Sequence, residues 1–146
     1  MHNALNSPFA KHRLTHPLKN SAGKLLTTAK QFDRLVSNDR LSADNAVPVV
    51  YWYTPYASAV WLLNKLDAVH GIAFGLCDLG MGFPEMGSLD VVELLATTYV
   101  ERNTKIILPE LSLALYASAA KSRSKITIPK IEPNQNNTGD RIYESY

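Results

Sequence analysis

Two stretches decide the fold: Val49-Val50-Tyr51-Trp52-Tyr53 and Ile72-Ala73-Phe74-Gly75-Leu76-Cys77. The first lies between Pro48 and Pro55, neither of which can donate to a strand ladder. Its residues are apolar or aromatic on both faces, which predicts a central strand covered from both sides. The second alternates. Ile72, Phe74 and Leu76 share one face, while Ala73, Gly75 and Cys77 make the other thin enough for a large ring such as Trp52 or Trp61 to reach the backbone. Tyr56-Ala57-Ser58 is short enough for a hairpin leading into a strand over 59–63. Asp67-Ala68-Val69-His70-Gly71 then leads into the strand that starts at Ile72.

Helical periodicity appears on either side of these strands. Ala29, Phe32, Leu35 and Val36 fall on one face of a helix predicted over 28–37, and Thr28 with Gln31 makes a capping box at its start. Asp90-Val91-Val92-Glu93 is a second capping box and opens a helix through about Thr97. A strand is expected over 104–108. A third helix follows over about 109–122, with Pro109 at its first position and Leu111, Ala114, Leu115 and Ala119 inward. Short connections favour an α+β domain, with a mainly antiparallel sheet of four to five strands and two to three helices packed on it.

The ends read differently. Residues 1–22 mix Asn, Ser and Pro with isolated Leu5, Phe9, Leu14 and Leu18 that follow no period, which suggests a flexible basic arm. The expected folded domain spans 23–126, and 127–146 is expected to be a flexible polar tail.

Composition narrows the function classes. A chain of 146 residues fits one domain with extensions. Hydrophobic residues at 46% and charged residues at 19% exclude a wholly disordered chain and a long exposed coiled coil. No apolar run approaches the ~18 residues that cross a bilayer, and the first 24 residues carry no secretory-type apolar stretch, so the expected compartment is the cytoplasm. The lone Cys77 excludes an internal disulfide and a cysteine-built zinc site. Charge is segregated: residues 1–32 carry +5, residues 33–101 carry −6, residues 102–130 carry +5 and the remainder −2. A basic flank can meet nucleic acid or an acidic partner, although no dense Lys/Arg run occurs.

Further motifs point to a family. Tyr53-Thr54-Pro55, Val60-Trp61-Leu62-Leu63, Ile72-Ala73-Phe74-Gly75-Leu76-Cys77-Asp78-Leu79-Gly80, Pro84-Glu85-Met86-Gly87 and Glu93-Leu94 occur in order. With Leu25-Leu26-Thr27 before them and Val100-Glu101-Arg102, Leu111-Ser112 and Tyr116-Ala117 after, the chain resembles a family of small bacterial proteins of unknown function over about residues 24–126. Such proteins are typically encoded on plasmids, integrative elements and other mobile DNA. Ser88-Leu89 stands where the family commonly has an aromatic pair or Tyr-Val, and Asp90 where it often has Ser; an Asp keeps the helix cap. The resemblance implies a fold and a mobile-element setting, and no biochemistry.

A nucleophilic Cys77 needs a histidine within hydrogen-bond reach, and His70 lies about 23 Å away if the strand is extended at ~3.3 Å per residue. Cys77 therefore reads as a small buried thiol. His12 and His16 share metal-site spacing, but Arg13 replaces the glutamate of that motif and Pro17 discourages the helix. Asp78 and Glu85 bracket a glycine-rich loop and could pair as acid and base, yet an Asp beside Gly more often bonds its own backbone. Gly80-Met81-Gly82 lacks the third glycine and the lysine of a phosphate cradle. No metal or cofactor is implied.

Tyr51, Trp52, Tyr53, Tyr56 and Trp61 are more rings than one face can bury, so an exposed aromatic edge is expected near Tyr56. The resulting expectation is a non-catalytic binding module, with another protein as partner and Tyr56, Asp78, Phe83 and Glu85 as the contact. The alternative is a nucleic-acid-binding accessory using Lys11, Arg13, Lys19, Lys121, Arg123, Lys125 and Lys130. A small enzyme using Asp78 and Glu85 is the third reading.

Overall fold

The computed structural model describes residues 13–42, 45–130 and 142–145. Ten elements follow in chain order. They are α1 (Ala29–Asn38), β1 (Val50–Tyr53), β2 (Val60–Asp67), β3 (Ile72–Asp78) and β4 (Glu85–Asp90), then α2 (Val91–Thr97), β5 (Glu101–Arg102), α3 (Leu113–Arg123), β6 (Thr127–Lys130) and β7 (Ile142–Ser145). Strands β1 to β5 form one antiparallel sheet in the order β4-β3-β2-β1-β5, and β6 pairs with β7 in a separate ribbon. The fold is α+β, as expected. Among the described residues, no helix is long and apolar enough to cross a membrane.

The sheet is covered on both faces because its central strands are apolar on both. On one face Trp52, Trp61, Leu63, Leu66 and Ala73 pack with Leu26, with Phe32 and Leu35 of α1, and with Val91 of α2. On the other, Tyr51, Leu62 and Leu76 pack with Leu113, Tyr116 and Ala120 of α3 and with Ile126 and Ile128. The thin face of β3 works as its residues require: Cys77 lies opposite Trp61, which lies opposite Trp52.

Strict alternation breaks in β2. Leu63 pairs with Gly75 but Lys65 pairs with Phe74, so Asn64 is an extra, bulged residue. The insertion places Leu66 on the same face as Trp61 and Leu63, which a regular strand would not do. It also brings the β2 backbone so close to Gly75 that a Cβ there would lie 2.0 Å from the Leu62 carbonyl oxygen.

Helix α1 starts at its predicted cap, with Thr28 Oγ1 accepting from Gln31 N and Gln31 Oε1 accepting from Thr28 N. Helix α2 starts at Asp90, whose carboxylate accepts from Glu93 N. Other expectations are corrected. The strand expected over 104–108 is absent, because Asn103 Oδ1 accepts from Lys105 N and Ile106 N and turns the chain away after β5. Helix α3 begins after Ser112, not at Pro109, whose carbonyl is instead taken by the Tyr116 hydroxyl at 2.6 Å. Its inward face is Leu113, Tyr116 and Ala120, leaving Leu115 exposed.

The flexible-arm reading is also corrected where the structure describes it. Residues 13–27 form a strap on the α1–α2 face. Leu14 N donates to Ala68 O, Leu18 is buried, and Leu26 N donates to Leu18 O. The buried Asn20 holds the turn of this strap: its Oδ1 accepts from Ala22 N and Lys24 N, and its Nδ2 donates to Val100 O at 2.9 Å. These bonds are made by one polar side chain to backbone, so the order leaves no hydrophobic period to read. Thr127, Ile128 and Pro129, assigned to the polar tail, are buried in β6.

The close contact at Gly75 makes a measurable demand. Gly75→Ala forces two backbones apart and is expected to destabilise by about 3 kcal/mol or more. Gly87→Ala, where an added Cβ meets open space, is expected to change stability by less than about 1 kcal/mol. Urea denaturation of both variants checks the contrast.

Candidate functional site

The β1–β2 and β3–β4 hairpins end at the same rim of the sheet, since Tyr53 pairs with Val60, Val60 with Asp78, and Cys77 with Glu85. The tips lie side by side. Gly80, at φ +79°, sits so close to Ser58 that a Cβ on it would approach Ser58 Cβ to 2.7 Å. This contact forces a bare backbone at Gly80, and the chain of the second tip turns outward.

That turn exposes large apolar side chains. Tyr56 is 88% exposed, Leu79 62%, Met81 73% and Phe83 79%. Tyr56 stacks obliquely on Tyr99, ring centroids 6.0 Å apart, and Tyr99 in turn hydrogen-bonds Lys24. The Tyr99 hydroxyl, with the Glu101 carboxylate nearby, raises the Lys24 pKa above its ordinary value. Glu85 stands exposed where β4 begins. Three of the four residues expected at the contact, Tyr56, Phe83 and Glu85, are thus at the surface of this rim.

Asp78 is the exception. It is 5% exposed, and both carboxylate oxygens are used internally: Oδ1 accepts from Gly80 N at 2.8 Å and Oδ2 from Ile126 N at 3.2 Å. It braces the β3–β4 tip and ties the segment after α3 to the sheet. A buried, doubly bonded carboxylate is not free to contact a partner. The same bonds separate it in role from Glu85, so the two do not form an open acid–base pair.

The other candidates disperse. His70 Nδ1 lies 2.8 Å from Asp67 Oδ2 in the β2–β3 turn, at the opposite end of β3 from Cys77. Burial pushes the Cys77 thiol up to about 11, away from the thiolate form that a nucleophile needs. His16 contacts Thr15 Oγ1 at 2.7 Å, while His12 and Lys11 lie outside the described residues. Among the described residues no three His, Cys, Asp or Glu side chains gather as a metal site. Lys121, Arg123, Lys125 and Lys130 are all exposed at the end of α3 and into β6. Arg13 and Lys19 belong to the strap on the other face of the sheet, so the basic flanks do not merge into one surface.

Sequence reasoning missed Leu79, Met81 and Tyr99 as members of the rim. A signal existed for the first two: apolar residues separated by glycines in a loop have no strand or helix face to bury them. It also missed an open pocket of about 360 Å³ beside β1 and β5, where Gln31, Arg34, Arg102, Asn103 and Glu110 converge. Those residues are far apart in the chain, and Arg34 meets Glu110 there at 3.6 Å.

The fold and rim define a small α+β domain that presents an apolar, aromatic hairpin end. Residues 25–127 match the family described as "Protein of unknown function (DUF2958)", and the chain belongs to that family. No curated protein and no solved structure matches the chain.

Two outcomes follow from this geometry. Asp78→Ala strands the Gly80 and Ile126 amides and is expected to cost about 3 kcal/mol, whereas Tyr56→Ala and Phe83→Ala change stability by less than about 0.5 kcal/mol; urea midpoints decide. The second concerns pH. The folded Cys77 holds its proton more tightly than the ordinary thiol at 9.0, so its contribution to stability is complete below pH 9 and is lost as pH rises toward 11. Accordingly, alkylation of the native protein stays slow at pH 8 to 9, where an exposed thiol reacts readily. Fast native-state labelling at that pH would contradict the burial.

Proposed function

We propose that this chain is a non-catalytic binding module whose hairpin rim docks on another protein. The observation that carries the reading is the exposure of Tyr56, Leu79, Met81 and Phe83 on adjoining tips. Side chains of this size remain in water on a folded domain at a cost, and aromatic residues and methionine are favoured where partners meet. Glu85 beside them, in the acidic middle of the chain, suits a partner surface that carries Lys or Arg. Several features support a non-catalytic role: the Cys77 thiol is protonated and half-buried, Asp78 is consumed by backbone bonds, and His70 is held by Asp67. The resemblance to proteins of mobile DNA adds a setting. In that setting the module restrains a host defence system, as an anti-restriction or anti-CRISPR-like inhibitor, and works in the cytoplasm.

The test is affinity capture from the native host with the wild type and with a Tyr56→Ala/Phe83→Ala double variant. The partner is expected to co-purify with the wild type and to fall by roughly tenfold or more with the variant, at an unchanged melting temperature. Equal recovery with both would end the reading.

A second reading is favoured by one observation, the four exposed cations between Lys121 and Lys130. There the domain holds nucleic acid through phosphate contacts, and affinity falls steeply between about 50 and 200 mM salt. Mobility-shift titration at low salt checks it; no complex at about 100 μM protein removes it.

A further inference from the structure

Strand β5 stops after two residues. Arg102 pairs with Trp52 and Glu101 with Tyr53, and Asn103 N then donates to Tyr51 O before the chain turns away. Among the described residues no strand runs along Val49 and Val50 on that side. Residues 103–110 instead cross the sheet edge, so that Ile106 and Leu108 pack on the α3 face. The gap they leave is the pocket of about 360 Å³ beside β1, within the roughly 300–1,000 Å³ that small-molecule sites occupy.

Its walls are of two kinds. Pro48, Val49, Val50, Ile106 and Leu108 make an apolar side. The rest is rich in donors. Cross-strand partners share a face, so Arg102, opposite Trp52, projects on the α1 side of the sheet. Gln31 and Arg34 reach the same pocket from α1, three positions apart and therefore on one side of the helix.

These donors outnumber their uses. The Arg102 guanidinium makes no hydrogen bond or ion pair among the described residues. Gln31 Oε1 and Asn103 Oδ1 accept from backbone N–H groups, which fixes both amides and leaves their NH2 groups to donate. Among the described residues that line the pocket, Glu110 is the one acid. It is 80% exposed and lies 3.6 Å from Arg34 Nη2, too far for a hydrogen bond. An exposed pair of this kind contributes little, so an incoming anion displaces Glu110 at small cost.

We propose that this pocket binds a small organic anion, a carboxylate or phosphate carried on an apolar body. The anionic group lies between Arg102 and Arg34, whose planar guanidinium groups match either head group, and the amides of Asn103 and Gln31 add donors. The body lies on Val49, Val50 and Ile106. This site is separate from the hairpin rim and stands whether or not the rim docks a partner. Arg102 also borders a second hollow with Lys24 and Glu101, but there Tyr99 and Glu101 already engage Lys24.

The test titrates the full chain, at fixed pH and ionic strength, with phenyl phosphate, with benzoate and with phenol as the neutral counterpart. At least one of the two anions is expected to shift the side-chain amide signals of Asn103 and Gln31 saturably, with a Kd of about 1 mM or below. Phenol is expected to bind at least roughly tenfold more weakly, and the better anion assigns the head group. Arg102→Gln is expected to weaken the anion by roughly tenfold or more at an unchanged melting temperature. If that variant melts early, Arg34→Gln on the exposed side of α1 carries the same expectation. Glu110→Gln removes the competing carboxylate and is expected to tighten binding by roughly threefold, while Lys24→Gln leaves it unchanged. No saturable shift at Asn103 with about 5 mM of either anion overturns the proposal, as does phenol binding equally well. Shifts confined to residues 121–130, or binding lost with Lys24→Gln and kept with Arg102→Gln, place the anion elsewhere and also overturn it.

Discussion

The structure depends on one extra residue. Asn64 interrupts β2, and its fully buried side chain is the means by which three layers meet. Its Nδ2 donates to Ala46 O, which also receives Leu113 N from the first turn of α3. Its own carbonyl accepts from Asn38 Nδ2 at the end of α1. A bulge here therefore joins the two helical layers across the sheet through backbone and amide groups, and the Asn64 bond to Ala46 O satisfies a carbonyl buried away from water. The same insertion restores Leu66 to the α1–α2 face and presses β2 against Gly75. An alanine-sized group at position 75 is excluded by the close approach of the β2 backbone. Helix placement, core composition and the glycine are one constraint seen from three sides.

The rim inherits its form from that rigid middle. Because β2 and β3 are locked in register, the two hairpin tips must emerge together, and Gly80 must pass Ser58 without a side chain. Asp78 then fixes the outgoing chain by accepting from Gly80 N, and its second oxygen holds Ile126. A carboxylate that looks like chemistry in the sequence is thus a brace between the sheet and the chain after α3. What it braces is the exposed part: with Asp78 holding the base of the turn, Met81 and Phe83 are offered on a positioned loop. Preorganisation of this kind lowers the ordering cost of binding.

How legible this was depends on the length scale of each interaction. The central strands and both capped helices could be read because period and cap chemistry act within a few residues; Thr28 with Gln31 and Asp90 with Glu93 are local statements. The paired tryptophans over the thin β3 face were readable for the same reason. The strap over 13–27 was not, because Asn20 binds Val100, eighty positions away, and Leu14 and Leu18 follow no period. The missing strand at 104–108 was lost to an Asx turn at Asn103 that outweighs the β-branched residues after it. Helix α3 shows a weaker error. Ala-rich, with little contrast between faces, it permits several inward faces, and only the Tyr116 bond to Pro109 O selects one. At the site, exposure near Tyr56 was legible from the excess of rings in 51–61. Burial of Asp78 was not, because its second partner, Ile126, comes from the far side of α3.

The two sheet edges are managed differently, and the difference bears on function. On the β5 side only Glu101 and Arg102 pair with β1 before Asn103 turns the chain away, and a two-residue edge offers an incoming strand almost no ladder. On the β4 side the ladder is six residues long, carries no proline or lysine, and begins directly after the apolar tip. Natural sheets commonly protect long edges with inward charge, bulges or cover. β4 carries Glu85 at its start and Asp90 at its end, where the carboxylate caps α2. The fold closes one edge by shortening it and leaves the other long. Met81, Phe83 and Glu85 lie on that side, at the start of β4, while Tyr56 stacks on Tyr99 beside β5.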